Sequence, residues 1–264
     1  MWYRAVPEER YGTRVFRGIS RRVFRESNGK AFRGFVDALG ILAGVDVTDK
    51  RLPAGRRGLT RAEVASSQRG RIIAALFDTV AAKGYPATTI GDIVGRAEVS
   101  RRTFYEHFAG KQECFLTAFD QAVADIGVRL AAALADVPKD DWRTRLRRSW
   151  HTFLTALAEH PTAAWSLYVE TFSAGPALIE RTSAVNAGFA ELFRKLHHRA
   201  RHADPTVPAV PAAVFDLYIG GTAERIRHCL HTGGAAALPG LTDLFEATML
   251  ALMGQVDQVS RSGD

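Results

Sequence analysis

Cysteine is nearly missing from this chain: Cys114 and Cys229 are the two found in 264 residues. That excludes a disulfide-stapled secreted scaffold and fits a reducing cytoplasm, where the chain is expected to work. No run of eighteen or more apolar residues is present, so no membrane-spanning helix is expected and no membrane partner is called for. Valine and isoleucine do not cluster in alternation, so strand signals are almost absent. A phosphate loop, a G-x-S-x-G elbow, an H-E-x-x-H pair and a dinucleotide fingerprint are all lacking. Enzymes built on those devices are excluded, and no cofactor, no metal and no catalytic residue is expected. Internal repeats are lacking too.

What is present is an uneven charge. The chain carries a net +7. Residues 1–60 hold 13 Lys/Arg against 6 Asp/Glu, residues 61–115 hold 8 against 6, and residues 116–264 hold 14 against 16. The basic excess sits first and the acidic part follows, an asymmetry that points the N-terminal part at a polyanion. Within residues 1–58, arginines interleave with Phe16, Ile19, Val23 and Phe24. Four readings of this basic extension stand side by side: a flexible tail, an arm for DNA phosphates, a membrane-surface helix, or an Arg-rich targeting segment. Arg51–Gly58 reads as a linker.

The next segment is more regular. Thr60 and Glu63 have capping-box spacing, so a helix starts there or at Ser66/Ser67. Ile72, Ile73, Leu76, Phe77 and Val80 recur in steps of three and four, which makes one apolar stripe on a helix ending at Gly84. Thr89 and Asp92 repeat the capping spacing and open a short helix with Ile90, Ile93, Val94 and Ala97 inward. After a turn at Glu98-Val99, Ser100 caps a second short helix, Arg101 to Phe108, on which Phe104 and Phe108 point one way.

Helices this short do not persist alone in water. The apolar stripe before them must hold both, which leaves one face of the second helix free. That face carries Arg101, Arg102, Thr103, Tyr105 and His107, nearly all hydrogen-bond donors. An α-helix fits the major groove, where arginine bonds guanine at two atoms and the Thr103 methyl meets thymine. Thr89 and Ser100 sit at helix N-termini, where backbone N–H groups attract phosphate, and Lys111 adds a further cation. The pattern is that of a helix-turn-helix whose second helix reads double-stranded DNA. The competing reading is a helical docking module for a protein or membrane.

The segment Ser67 to Phe119 resembles the N-terminal domain of the TetR/AcrR family of bacterial regulators. The resemblance rests on Thr88-Thr89-Ile90, on Val99-Ser100-Arg101-Arg102-Thr103-Phe104-Tyr105-Glu106-His107-Phe108 with Lys111, and on the Ala82–Tyr85 turn. It implies that Thr89, Arg101, Arg102, Thr103, Tyr105, His107 and Lys111 fall at positions that touch DNA. It also implies an all-α fold, with a three-helix DNA-binding domain over 66–126 and a helical ligand-binding and dimerisation domain over 127–264. A homodimer, a small-molecule effector and a repressor's role follow from the same resemblance. The extension over 1–58 departs from it.

Prolines mark helices at about 111–136, 140–159, 161–173, 176–203, 211–232 and 240–259. Trp150 and Phe153, and Trp165, Tyr168 and Phe172, form aromatic stripes that line a pocket or fill a core. Glu170 beside them answers a cationic ligand or faces water. The helices near 211–232 and 240–259 are candidates for the dimer interface, with Gly220-Gly221 for close approach and Leu241, Leu244, Phe245, Met249, Leu252 and Met253 as its apolar face. His198 and His202 have the spacing of a metal pair, but no third ligand is at hand.

Overall fold

The computed structural model describes residues 61–254. The basic extension, the linker and the expected Thr60–Glu63 cap lie outside the described residues. Among the described residues the chain is all helix. Its order is α1 Arg61–Lys83, α2 Ile90–Ala97, α3 Arg101–His107, α4 Lys111–Ala133, α5 Trp142–Glu159, α6 Pro161–Tyr168, a 3-10 turn Phe172–Ala174, α7 Pro176–Ala203, α8 Ala213–Thr232, a 3-10 segment Ala235–Leu241, and α9 Thr242–Leu252.

Two apolar clusters organise these helices. The first gathers Ile72, Leu76 and Val80 of α1 with Ile93 of α2, Phe104 and Phe108, and Phe115 of α4. Phe104 and Phe108 are 0% and 2% exposed, so α3 is anchored through two aromatic rings 5.7 Å apart. Burying each ring fully contributes about 2–3 kcal/mol, which a seven-residue helix cannot obtain from its own backbone. The second cluster gathers Trp150 and Leu154 of α5, Phe193 of α7, Phe215 of α8, and Phe245 and Met249 of α9. The long helix α7 belongs to both, giving Leu178, Val185 and Leu192 to the first and Ala190 and Phe193 to the second.

Three sequence expectations change here. The helix expected over 161–173 stops at Tyr168, and a turn carries the chain into Phe172–Ala174. The last helix, expected over 240–259, is α9, Thr242–Leu252, with Gly254 beyond it at φ 71°, and residues 255–259 of that expectation lie outside the described residues. Its apolar face turns mostly inward: Phe245, Met249 and Met253 are buried in the second cluster, which leaves Leu244 as the large exposed residue of the group.

By length and composition, the stretch Ala235–Leu252 suffices to cross a membrane, which the sequence reading did not expect. Its structure argues for packing instead. Pro239 lies in the 3-10 part, Leu238 is buried, and the Tyr218 hydroxyl donates to the Phe245 carbonyl at 2.8 Å. Asp243 and Glu246 on the same stretch hold Arg147 of α5.

Candidate nucleic-acid interface and effector cavities

The start of α2 is closed by a complete capping box. The Thr89 N–H donates to the Asp92 carboxylate at 2.8 Å, and the Asp92 N–H donates back to the Thr89 hydroxyl at 3.2 Å. Thr89 also donates its own proton to Asp92 at 2.5 Å. Lys83, from the last turn of α1, reaches the same carboxylate at 2.5 Å. The Lys83 and Thr89 hydrogen bonds hold the Asp92 carboxyl far below the usual carboxylate range. The Asp92 charge is thereby met by that of Lys83.

The turn into α3 requires a left-handed residue, and Glu98 takes φ 53°. Ser100 then caps α3, its hydroxyl accepting from the Thr103 N–H at 2.9 Å. With Phe104 and Phe108 inward, Arg101, Arg102 and Tyr105 are exposed, while Thr103 and His107 are half-buried at the edge. The Arg102 side chain is 90% exposed and touches Glu106 at 3.1 Å, a surface pair worth under about 1 kcal/mol. The Arg101 guanidinium crosses the first turn of α2, and a Cβ added at Gly91 would stand 3.2 Å from its Nη2. No pattern in the sequence marks this proximity of Gly91 to Arg101.

Lys111 is placed differently from the others. Its ammonium donates to the Tyr85 and Thr88 carbonyls at 2.7 and 2.8 Å and lies 4.0 Å above the Tyr85 ring. Desolvation there, and then the charge of Lys83, lower its pKa. In this position Lys111 clamps the α1–α2 turn onto α4. Two of its three donors are already used, which leaves one for a further contact.

A second set of contacts ties this unit to α6. The Tyr85 N–H donates to the Glu170 carboxylate at 2.9 Å. The Ser166 hydroxyl is shared between the carbonyls of Phe77 and Thr162. Thr162 donates to Asp78 at 2.9 Å, and Asp78 also accepts from Arg96 of α2 at 3.0 Å. Neither reading offered for Glu170 is its position: it meets a backbone N–H of the preceding unit, through a contact 85 residues apart that no local pattern marks.

Beyond α6 lie two adjoining cavities of about 430 and 730 Å³. Trp150 lines the smaller one, and Phe153 and Tyr168 line both. Trp165 lines neither: its ring packs 4.8 Å from His231. Phe172 is 68% exposed at the rim of the larger cavity. The Trp165–Tyr168–Phe172 stripe required a helix that continues past Tyr168, and it does not. Among the described residues no group of three or more His, Cys, Asp or Glu gathers where a metal could be held. His197 is buried with its Nε2 at 2.8 Å from the Pro208 carbonyl, while His198 and His202 are exposed. Both cysteines are buried, and burial pushes the Cys114 thiol up to about 12.

Residues 72–118 match the model of the bacterial regulatory proteins of the tetR family. Two curated relatives agree. The HTH-type transcriptional regulator CymR of Pseudomonas putida is 39% identical over 83 residues, 31% of this chain and 41% of CymR. The HTH-type transcriptional activator FasR of Mycolicibacterium smegmatis is 32% identical over 127 residues, 46% of this chain and 54% of FasR. The chain thus spans about half the length of the curated relatives it matches. Among solved structures, the fatty acid degradation regulator FadR of Bacillus halodurans superposes with a TM-score of 0.61 over 74% of this chain and 97% of its own, at 15% identity. The transcriptional regulator FadR of Bacillus subtilis, solved in complex with stearoyl-CoA, gives 0.60 over 69% and 98%, at 16% identity. Likeness at that identity speaks to the fold, an N-terminal helix-turn-helix followed by a helical C-terminal part. Taken with the match over 72–118, it makes this chain similar to the tetR family of bacterial regulatory proteins in its N-terminal helix-turn-helix and in its fold.

Proposed function

We propose that the chain is a sequence-specific regulator of transcription, a repressor that binds a palindromic operator as a homodimer in the cytoplasm and releases it when a small molecule fills the cavities. The observation that carries this reading is α3: a short helix anchored by Phe104 and Phe108, with Arg101, Arg102 and Tyr105 turned to solvent. Arg101 and Arg102 reach base edges or phosphates, and Tyr105 and His107 hold the backbone. Thr103 offers its methyl to thymine. Thr89 and Ser100 act through the helix starts they cap, and Lys111 by fixing the turn on which α2 is set.

One reading helix covers half a site. Two related by a twofold axis reach successive major grooves about one helical turn apart. Support for the pairing comes from α8 and α9. The outward stripe of α8 holds Leu217, 75% exposed, beside Gly220 and Gly221, where an added Cβ would meet nothing within 4 Å. That of α9 holds Leu244, Thr248 and Ala251. Small and apolar side chains let helices from two copies approach closely. The neighbour solved with stearoyl-CoA supports an effector in the C-terminal cavities.

The test is selection of duplexes from a randomised pool, followed by titration of the enriched duplex at several salt concentrations. The reading expects an inverted repeat, two copies per duplex, and affinity that falls steeply with salt. A reporter driven through that duplex should rise when the protein is removed. A pool without enrichment would end the DNA reading, and a direct or single half-site would end the dimeric one.

A further inference from the structure

The two cavities lie in line along α7. Thr182, Asn186, Phe189, Leu196 and Ala200, all on that helix, line one or the other. Eighteen residues of α-helix separate Thr182 from Ala200, a run of about 27 Å. Asn186 and Phe189 line both cavities, as do Tyr168 of α6 and Ala223 of α8, so these residues form a waist between the two. The walls beyond the waist are mostly apolar or aromatic, and Phe153 meets Phe189 edge-on at 6.4 Å. At the waist the polar groups are neutral: the Tyr168 hydroxyl and the Asn186 amide. One α-helical turn from Asn186, the buried Thr182 hydroxyl has no hydrogen-bond partner and lines the larger cavity. Charged side chains are absent from the residues common to both cavities; Lys139, Asp140, Arg145, Arg199 and Asp204 line the smaller alone, and Asp125, Arg129, Glu224 and Arg227 the larger alone.

We infer that the effector is a long, unbranched, apolar chain, uncharged where it passes the waist, and that it acts only when long enough to cross from one cavity into the other. This rests on the reading of the protein as a ligand-responsive regulator. At the waist a sugar would leave most of its hydroxyls unpaired, since Tyr168 and Asn186 are the polar residues common to both cavities. A chain that fills a single cavity gains burial energy and leaves the waist as it is. A chain that crosses the waist must displace Tyr168. Tyr168 ends α6, the helix whose Thr162 and Ser166 hold α1, and Glu170 two residues on holds the Tyr85 N–H. Length is therefore what the DNA-binding unit senses, because a ligand shifts an equilibrium only through differential contact with its two states.

The experiment uses the full chain with octanoate, dodecanoate, hexadecanoate and octadecanoate as probes. Thermal stabilisation reports binding, and titration of the selected duplex reports the response. Octanoate is expected to stabilise the protein and leave duplex affinity alone, while hexadecanoate weakens it on the order of tenfold. Stabilisation should rise in a step at the length that crosses the waist. Ala223→Trp, which plugs the waist, should abolish the hexadecanoate effect while octanoate still stabilises the protein. Equal responses at all lengths, or a smooth rise without a step, would overturn the inference. So would duplex binding indifferent to every probe. If no duplex is bound at all, the regulator reading falls, and the step in stabilisation still decides whether the cavities measure length.

Discussion

The Arg102 side chain is 90% exposed, and its partner among the described residues, Glu106, lies on the same helix at 3.1 Å. An exposed i,i+4 pair contributes little to folding. Arg102→Ala should therefore leave the melting temperature nearly unchanged while weakening the selected duplex by on the order of tenfold, the loss of one good base or phosphate contact. Tyr105→Ala should act in the same direction, since its ring is 55% exposed and packs only edge-on against Phe104. Titration of duplex beside thermal unfolding separates the two effects, and unchanged affinity in both variants would remove α3 as the reader. These side chains were legible in the sequence because burial of Phe104 and Phe108 dictates which side of a helix faces out. Arg101 was less so. Its closeness to Gly91 is a contact between helices, and no spacing within one helix announces it.

At the level of elements, caps and turns were readable and tertiary ties were not. Thr89 with Asp92, and Ser100 with Thr103, are local contacts spaced by three residues, so the sequence locates them directly. Helix α7 spans Pro176–Ala203, the range expected, because Gly175-Pro176 starts it and the chain leaves it near Pro205. The end of α6 was missed because Val169-Glu170-Thr171 contains no breaker. The chain turns there while Glu170 is held by the Tyr85 N–H. The α2 cap also makes a pH prediction. Hydrogen bonds from Lys83 and Thr89 lower the Asp92 pKa in the folded protein. A carboxylate whose folded pKa is depressed stabilises the fold above its unfolded pKa, near 3.9, and that stability is lost as pH falls through the folded value. Acid unfolding of the parent should thus be steeper below about pH 4 than that of Asp92→Asn, and the two should unfold with like slopes at neutral pH. Thr89→Ala should cost about 1 kcal/mol at neutral pH, read as a lower denaturant midpoint with an unchanged slope.

Across the whole molecule, one helix face links the aromatic cavities to the helices that present arginine. Tyr168 lines the cavities, and the residues around it, Thr162, Ser166 and Glu170, bond to Asp78, the Phe77 carbonyl and the Tyr85 N–H. Tyr85 in turn is buried, stacks on Phe115 at 5.4 Å and gives its carbonyl to Lys111. Such an arrangement allows communication only if it has two states, and Glu170 is the contact most easily broken, being a single hydrogen bond across two units. Removing its carboxylate leaves the Tyr85 N–H part-buried and unpaired, at a cost of about 1–3 kcal/mol. That corresponds to a fall in melting temperature of roughly 2–4 °C per kcal/mol for a protein of this size. Glu170→Ala should therefore melt earlier than the parent. It should also bind the selected duplex in a manner less sensitive to hexadecanoate, because the restraint the ligand must break is already gone. Glu170→Gln, which keeps an acceptor oxygen for the N–H, should recover most of both. If Glu170→Ala lost stability yet kept its full response to ligand, the contact would be a strut between the two units, and the signal would pass through the remaining ties, Thr162 to Asp78, Ser166 to the Phe77 carbonyl, and the Arg181–Asp120 pair of α7 and α4, 3.3 Å apart.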